Sequence, residues 1–478
     1  DLDGNLDLYV GQGGTVARAA AGKGAAPDRF FLGDGGGGFV EATASWGMDQ
    51  RCWSQGVAVG DVDADGDPDL FVACLGRDAL LRNDRGAWTD VSESAGLAGP
   101  EGWSASAAFG DADGDGDPDL YVARYVRFDP RSPPQPGPRM PCLWKGRRVS
   151  CGPEGLTPER DSLYLNRGDG TFEDASDRVR VPKPAYGLGV LWLGPDIVVA
   201  NDSTPNFHFR PSVRSGFVEE ALLSGLSRSG DGQEQAGMGI ARWGDDIVMT
   251  HFADDHHTYY ERVPGSEGLY RDRTFAKGLG AGTLPALGWG IGAYDFDLDG
   301  DEDLLAVHGH VYPQAADADP ESGYAQRDHL WRYDGSEGRF REAGESLGLT
   351  HRHVGRAAAF GDVDGDGDVD AVVVRLDAPP ALYRNLARSP EGGGVDGRWV
   401  RFRLIPALPG ATVELSTGQR RTLFGGGSFQ AASDPRAHFG LGPDVEEVRW
   451  KVGWPDGRKA EGRSPVDRDV LVSAPGPS

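Results

Sequence analysis

The sequence predicts an all-β chain: a seven-bladed β-propeller followed by a small β-sandwich-like module. Three observations carry this expectation. Short apolar segments alternate with turns throughout, and Gly supplies 73 of 478 residues, about twice the usual share. One unit recurs, an apolar strand, the acidic string D-x-D-x-D-G-x-x-D and a second apolar strand. Seven units of this kind, four short antiparallel strands each, are the sequence form of a propeller, and closing the ring removes free sheet edges.

The units follow in order. A clipped copy, DLDGNLD, opens the chain and lacks its first Asp, so the N-terminal strand of that unit is expected to be missing. Complete strings stand at Asp61–Asp69, Asp111–Asp119, Asp295–Asp303 and Asp362–Asp370. Gly-rich turns between apolar runs, such as LYLNRGDGTFEDAS at 163–176, signal the outer hairpins. Two further units, GLGVLWLGPDIVVAND (187–202) and GMGIARWGDDIVMTHF (237–252), keep the strands without the acidic string. After the polar, Gly-rich linker 388–398, strands such as WVRFRL and EEVRWKVGW resume over 399–478. The propeller is thereby bounded at 1–387.

Asp at positions 1, 3, 5 and 9 with Gly at 6 is the spacing of a calcium loop, because a hard cation takes six to eight oxygens and the chain must turn sharply between them. The expected ligands are Asp61, Asp63, Asp65 and Asp69; Asp111, Asp113, Asp115 and Asp119; Asp295, Asp297, Asp299 and Asp303; and Asp362, Asp364, Asp366 and Asp370. Asp1, Asp3 and Asp7 of the clipped copy would make a fifth site. These ions are expected to staple hairpins. Solvated acidic turns without metal are the bland alternative.

Composition narrows the function. A formal charge of −26 argues against nucleic acid as a partner. No apolar run approaches the length of a transmembrane helix. Cys142 and Cys151 close a short loop in a Pro-rich segment, while Cys52 and Cys74 flank a strand–loop–strand unit. Two disulfides are expected, and with them an oxidising compartment.

The loops and their flanking strands resemble FG-GAP/VCBS repeats, the units of the seven-bladed propeller in integrin α heads. YGLGV, DIVVANDSTPNF, DFDLDGDEDLLAVHGHVYP and GRAAAFGDVDGDGDVDAVVV are similar to the propellers of bacterial cartilage-acidic-protein-like proteins. GGGSFQAASDPRAHFGLG (425–442) and VRWKVGWPDGRK (448–459) resemble the ASPIC/UnbV domain. The resemblance implies a secreted, periplasmic or surface-exposed calcium-binding protein. It implies no settled activity, and some members sit in natural-product gene sets, including enediyne ones.

Propeller geometry places the Asp loops on one face. Loops after the second strand of each blade, and those entering the first, emerge on the other. That opposite face collects Asn201, Asp202, His251, Asp254, Trp289, His308, His310 and Arg356, beside two long insertions at 126–160 and 311–328. A calcium-stapled binding or scaffold protein recognising a glycan or protein there is one reading. An enzyme such as a lyase, cyclase or hydrolase using the same pocket is another. A transition metal at His308 and His310 with His251, and polar residues that merely tie blades together, are weaker and blander alternatives for the same residues.

Overall fold

A computed structural model describes residues 3–476, except 49, 98, 100, 134–141, 154, 181–182, 213–215, 318–321, 377, 390–391, 393 and 424. Seven blades arise in sequence order, the strands of blades 2 and 3 joined into one eight-stranded sheet. Blade 2 illustrates the unit, with strands Trp53–Gly60, Asp69–Gly76, Ala79–Asp84 and Ala87–Asp90 running from the centre outward. Alternating apolar residues bury both faces of the middle strands, and Phe71, Val72, Ala73 and Leu80 are almost wholly enclosed between neighbouring blades.

The four-strand unit is incomplete at two places, blade 1 as expected of the clipped first copy and blade 7 against expectation. Blade 1 has three described strands (Leu8–Val10, Arg29–Gly33, Phe39–Glu41), and its innermost one follows the clipped acidic string. Blade 7 also has three (Gly355–Gly361, Asp370–Arg375, Ala381–Tyr383), because the chain then leaves for the Gly-rich segment. Blades 1 and 7 meet, with Gly37 N–H donating to Val363 O at 3.2 Å. Blades 2 and 3 share a short extra pairing at Leu75–Trp103 and Gly76–Gly102.

The six inner strands share one irregularity. Each carries a register shift near its start, between Ser54 and Gly56, Ser104 and Ser106, Gly187 and Gly189, Gly237 and Ile240, Gly288 and Ile291, or Gly355 and Ala358. A bulge of this kind re-aims the extra side chain. Gln55, Ala105, Leu188, Met238, Trp289 and Arg356 occupy the corresponding positions.

Residues beyond 397 form two further sheets, Ala437–Gly442/Arg398–Ile405/Arg468–Ser473 and Arg420–Thr422/Thr412–Leu415/Glu447–Gly453/Lys459–Pro465. Val400, Phe402, Val413, Phe439, Val448 and Trp454 form their shared core. This module rests on the Asp-loop side of blades 6 and 7. Arg401 donates to Asp362 Oδ2 at 3.0 Å, His438 Nε2 lies 2.8 Å from Gly367 O, and Gln419 Nε2 donates to Gly300 O at 3.0 Å.

One segment of the module enters the propeller centre. Gly427 N–H donates to Val190 O at 2.8 Å and Ile240 N–H to Ser428 O at 3.1 Å. Ser428 Oγ donates to Ala358 O at 2.7 Å, and Gln430 N–H to Ser106 Oγ at 3.2 Å. Phe429 packs on Trp289, and Gln430 Nε2 reaches Gln55 Oε1 at 3.5 Å. The segment therefore touches six inner strands and plugs the channel.

Candidate metal loops and ligand mouth

The acidic strings fold as tight loops. Their sixth-position glycines, Gly66, Gly116, Gly300 and Gly367, take φ of 96°, 93°, 107° and 95°, a backbone that a Cβ would strain. The fifth-position Asp accepts from the N–H two residues on, as Asp65 Oδ1 does from Asp67 at 2.9 Å and Asp115 Oδ1 from Asp117 at 2.9 Å. The ninth-position Asp braces the blade. Asp69 accepts from Val62 and Asn83, Asp119 from Ala112 and Asn166, and Asp370 from Val363 and Asn385, each on separate oxygens.

Carboxylate oxygens converge within 4.8 Å in Asp61/Asp63/Asp69, Asp63/Asp65/Asp84, Asp111/Asp113/Asp115, Asp295/Asp297/Asp299 and Asp362/Asp364/Asp370. Asp119, Asp303 and Asp366 stand outside these groups among the described residues, while Asp84, from the outer hairpin, joins one. Asp3 binds Asn5 and Asp7 accepts from Gly33, and Asp1 lies outside the described residues.

These clusters fit a cation. Asp61 Oδ1, Asp63 Oδ1, Asp297 Oδ1, Asp303 Oδ2 and Asp364 Oδ1 are buried without a hydrogen-bond donor. Burial first, with the neighbouring aspartates adding to it, pushes Asp61 up to about 6, and Asp295 and Asp303 up to about 8. A divalent ion would remove that repulsion. Basic side chains partly neutralise three loops, Arg82 at Asp63, Arg332 at Asp297, and Arg384 and Arg401 at Asp364 and Asp362.

Sequence reasoning missed the asparagines that end the third strands. Asn166 Nδ2 donates to Val62 O at 2.8 Å, and Asn385 Nδ2 to Phe296 O at 2.7 Å. Each hooks its blade to the Asp loop of the blade before it. The strings LYLN and LYRN carry the signal.

On the opposite face the eight candidates separate. Asn201, His251 and His308 are fully buried and occupy one repeat position, the end of the second strand. Their N–H groups donate to Asn206 Oδ1, His257 Nδ1 and Asp328 Oδ1 at 3.0, 3.2 and 2.9 Å. Arg124 donates to Asp161 and Cys74 to Asp78 in the same way. These residues sit at the seam between strands, buried rather than on an open surface. His308 packs on His257 and His329, whereas His310 packs on Trp144, Phe252 and Tyr312. Neighbours two apart on a strand share a face, but the strand ends at His308, so the pair parts. No group of three metal-ligating atoms includes these histidines among the described residues. Burial holds His251 down at about 3 and His310 at about 4, both neutral. Asp254 sits at the rim, paired with Lys145 at 3.0 Å.

Asp202, Trp289 and Arg356 do converge. They line a cavity of about 1240 Å³ together with Gln55, Leu188 and Met238. Trp53, Trp103, Tyr125 and Tyr312 surround its mouth, and Phe429 and Gln430 close it from below. The cavity continues between blades 1, 2 and 7 toward Arg403–Ala407 of the C-terminal module. Tyr125 Oη donates to Asp202 Oδ2 at 2.6 Å, and burial raises that carboxyl. The 126–160 insertion reaches the rim through Cys142–Cys151 and Trp144. Cys52 and Cys74 are also bonded.

Residues 1–72, 61–122 and 295–373 match the FG-GAP-like repeat, and residues 406–475 match ASPIC and UnbV. The chain carries FG-GAP-like repeats and an ASPIC and UnbV domain. This FG-GAP repeat chain is 26% identical to cartilage acidic protein 1 of Mus musculus over 329 residues, 64% of this chain and 48% of that protein. The Homo sapiens protein matches at 26% over 329 residues, 64% and 47% of the two lengths. The chain spans about half the length of the curated relatives it matches. An Agrocybe aegerita lectin, described as recognising non-reducing terminal N-acetylglucosamine, aligns with 81% of the FG-GAP repeat chain and 92% of its own. That alignment has 11% identity and a TM-score of 0.38. Among the described residues no helix is long and apolar enough to cross a membrane.

Proposed function

We propose that this chain is a secreted, calcium-binding propeller that acts as a binding or scaffold protein, taking a glycan or protein ligand at the face opposite the Asp loops. The carrying observation is the ring of bulge residues. Five of its six members line one large concave cavity, and the C-terminal module supplies the floor. A concave, largely apolar site with a few placed polar groups is the form that ligand sites take. The calcium loops, on the other face, hold the blades in register.

Asp61, Asp63, Asp65, Asp69 and their counterparts in blades 3, 6 and 7 would hold the ions. Bound calcium would supply charge neutralisation and a rigid loop. The chain's own contribution is to aim the carboxylates through the turn glycines and to keep water from the inner oxygens. Two disulfides and the likeness to cartilage acidic protein 1 support an extracellular setting. A catalytic role gains no specific support, because Asp202 is already engaged by Tyr125 and Ser203.

The test fills the mouth. Leu188→Trp with Met238→Trp should abolish capture on glycan and protein arrays; both side chains are buried, so the double variant is expected to melt lower and is compared per folded molecule. Undiminished capture by the folded double variant rejects the mouth as the binding site.

A further inference from the structure

Arg356 is the single cation among the six bulge residues, and it stands half-buried at the cavity wall. Its guanidinium lies 4.4 Å from the Trp289 ring centroid. Nη1 donates to Gly309 O at 3.0 Å and to Gly355 O at 2.6 Å, and Nη2 donates to His310 O at 3.3 Å. All three acceptors are neutral carbonyls. No carboxylate pairs with it among the described residues. Nε–H and one Nη2–H remain unused. Burial lowers its pKa only to about 10, so the charge is retained at neutral pH. A half-buried cation without a counter-ion keeps only part of its hydration and leaves its charge open to an anion. Stacking on the indole and three carbonyls fix its position without neutralising it.

The surroundings specify the rest of the ligand. Trp103 contacts Tyr125 and Phe128 at 5.5 and 5.3 Å, making an aromatic shelf beside the cavity. Gln55 and Gln430 place amide groups on the adjacent wall. Aromatic faces beside amides suit the apolar face and hydroxyls of a sugar ring, and a guanidinium edge suits a carboxylate bidentately. Asp202, which lines the same cavity, is held by Tyr125 and Ser203.

We infer that the mouth binds a carboxylate-bearing saccharide, its carboxylate on the free edge of Arg356 and a ring face on the aromatic shelf. The inference rests on the mouth being the binding site.

Titration of the intact chain with a tetrasaccharide of galacturonic acid, followed by tryptophan fluorescence, tests it. The fully methyl-esterified tetrasaccharide is the neutral counterpart. The acid should bind, and the ester should bind about tenfold more weakly or less, the scale of one charged hydrogen-bonded pair. Arg356→Met should bring the acid to the level of the ester. Arg356→Lys keeps the charge without the fork and should fall between; it serves if the Met variant does not fold. Equal binding of acid and ester, or acid binding unaffected by either variant, overturns the inference and leaves a neutral-saccharide mouth standing. Binding of neither saccharide overturns it too. So does binding of a poly-glutamate peptide in preference to the acid. In both cases the double-Trp block remains the separate test of the mouth itself.

Discussion

Phe429 of the C-terminal module packs on Trp289 of blade 6, with ring centroids 4.8 Å apart. The contact joins residues from two separate sets of sheets at the floor of the cavity. Phe429 is buried, so its removal leaves a void beneath the indole. Phe429→Ala should cost about 3–5 kcal/mol at a fully packed site. Calorimetry should show the loss as a weakened coupling of the two sets of sheets, resolved into separate transitions. One unshifted transition would mean that the plug contributes no coupling.

Buried acidity gives the calcium-free chain a pH signature. Burial raises Asp69 and Asp370 to about 7, and Asp119, Asp295 and Asp303 to about 8. Ordinary carboxylates titrate near 4. Between these limits the folded chain holds more protons than the unfolded one, so stability falls as pH rises. The stripped protein should melt lower at pH 8 than at pH 5, with the largest rescue by calcium at pH 8. A stripped protein most stable at pH 8 contradicts this.

The acidic loops and the strands around them were legible because their signal is local. Carboxylate spacing, a glycine at a fixed offset and alternating apolar residues all fall within nine residues or so. The mouth was half legible. Trp289 and Arg356 stand out as unusual residues entering inner strands, but Leu188 and Met238 read as ordinary core. Only the bulge, a relation between two paired strands, turns them into the channel. The plug left no local trace either, since Gln430 meets Ser106 at a separation of 324 residues. His251 and His308 show the other side of this, being buried at the ends of second strands where the sequence reading places a ligand face. Chemically versatile side chains drew a functional reading, whereas their repeat position is the strand seam that Arg124 and Asn201 share.

Seam histidines should therefore act on stability. His308→Ala removes the ring that lies 3.0 Å from His257 Nε2. It should cost on the order of 1–3 kcal/mol through unpaired buried groups. Array capture per folded molecule should be unchanged. Lost capture with an unaltered melt would return His308 to the ligand site.

The two disulfides should differ in reach. Cys52–Cys74 sits beside the inner strand of blade 2, and Cys74 is buried. Cys52→Ser with Cys74→Ser should cost about 3 kcal/mol of global stability for a loop of this size. Opening Cys142–Cys151 should instead free the insertion that holds Trp144 against His310. Proteolysis at Arg147 or Arg148 should quicken while the global melt barely moves. Equal melting shifts from both pairs would contradict this division.

Calcium binding by the Asp loops is most directly read by calorimetric titration of chelator-stripped protein, paired with a melting curve at each saturation. Several calcium ions should bind, each favouring the folded state; at a hundredfold excess over its Kd one site adds about 2.7 kcal/mol. Asp63→Ala should remove binding at blade 2 and leave the other loops intact. A stripped chain that takes up no calcium, and melts at the same temperature with and without it, would contradict the account.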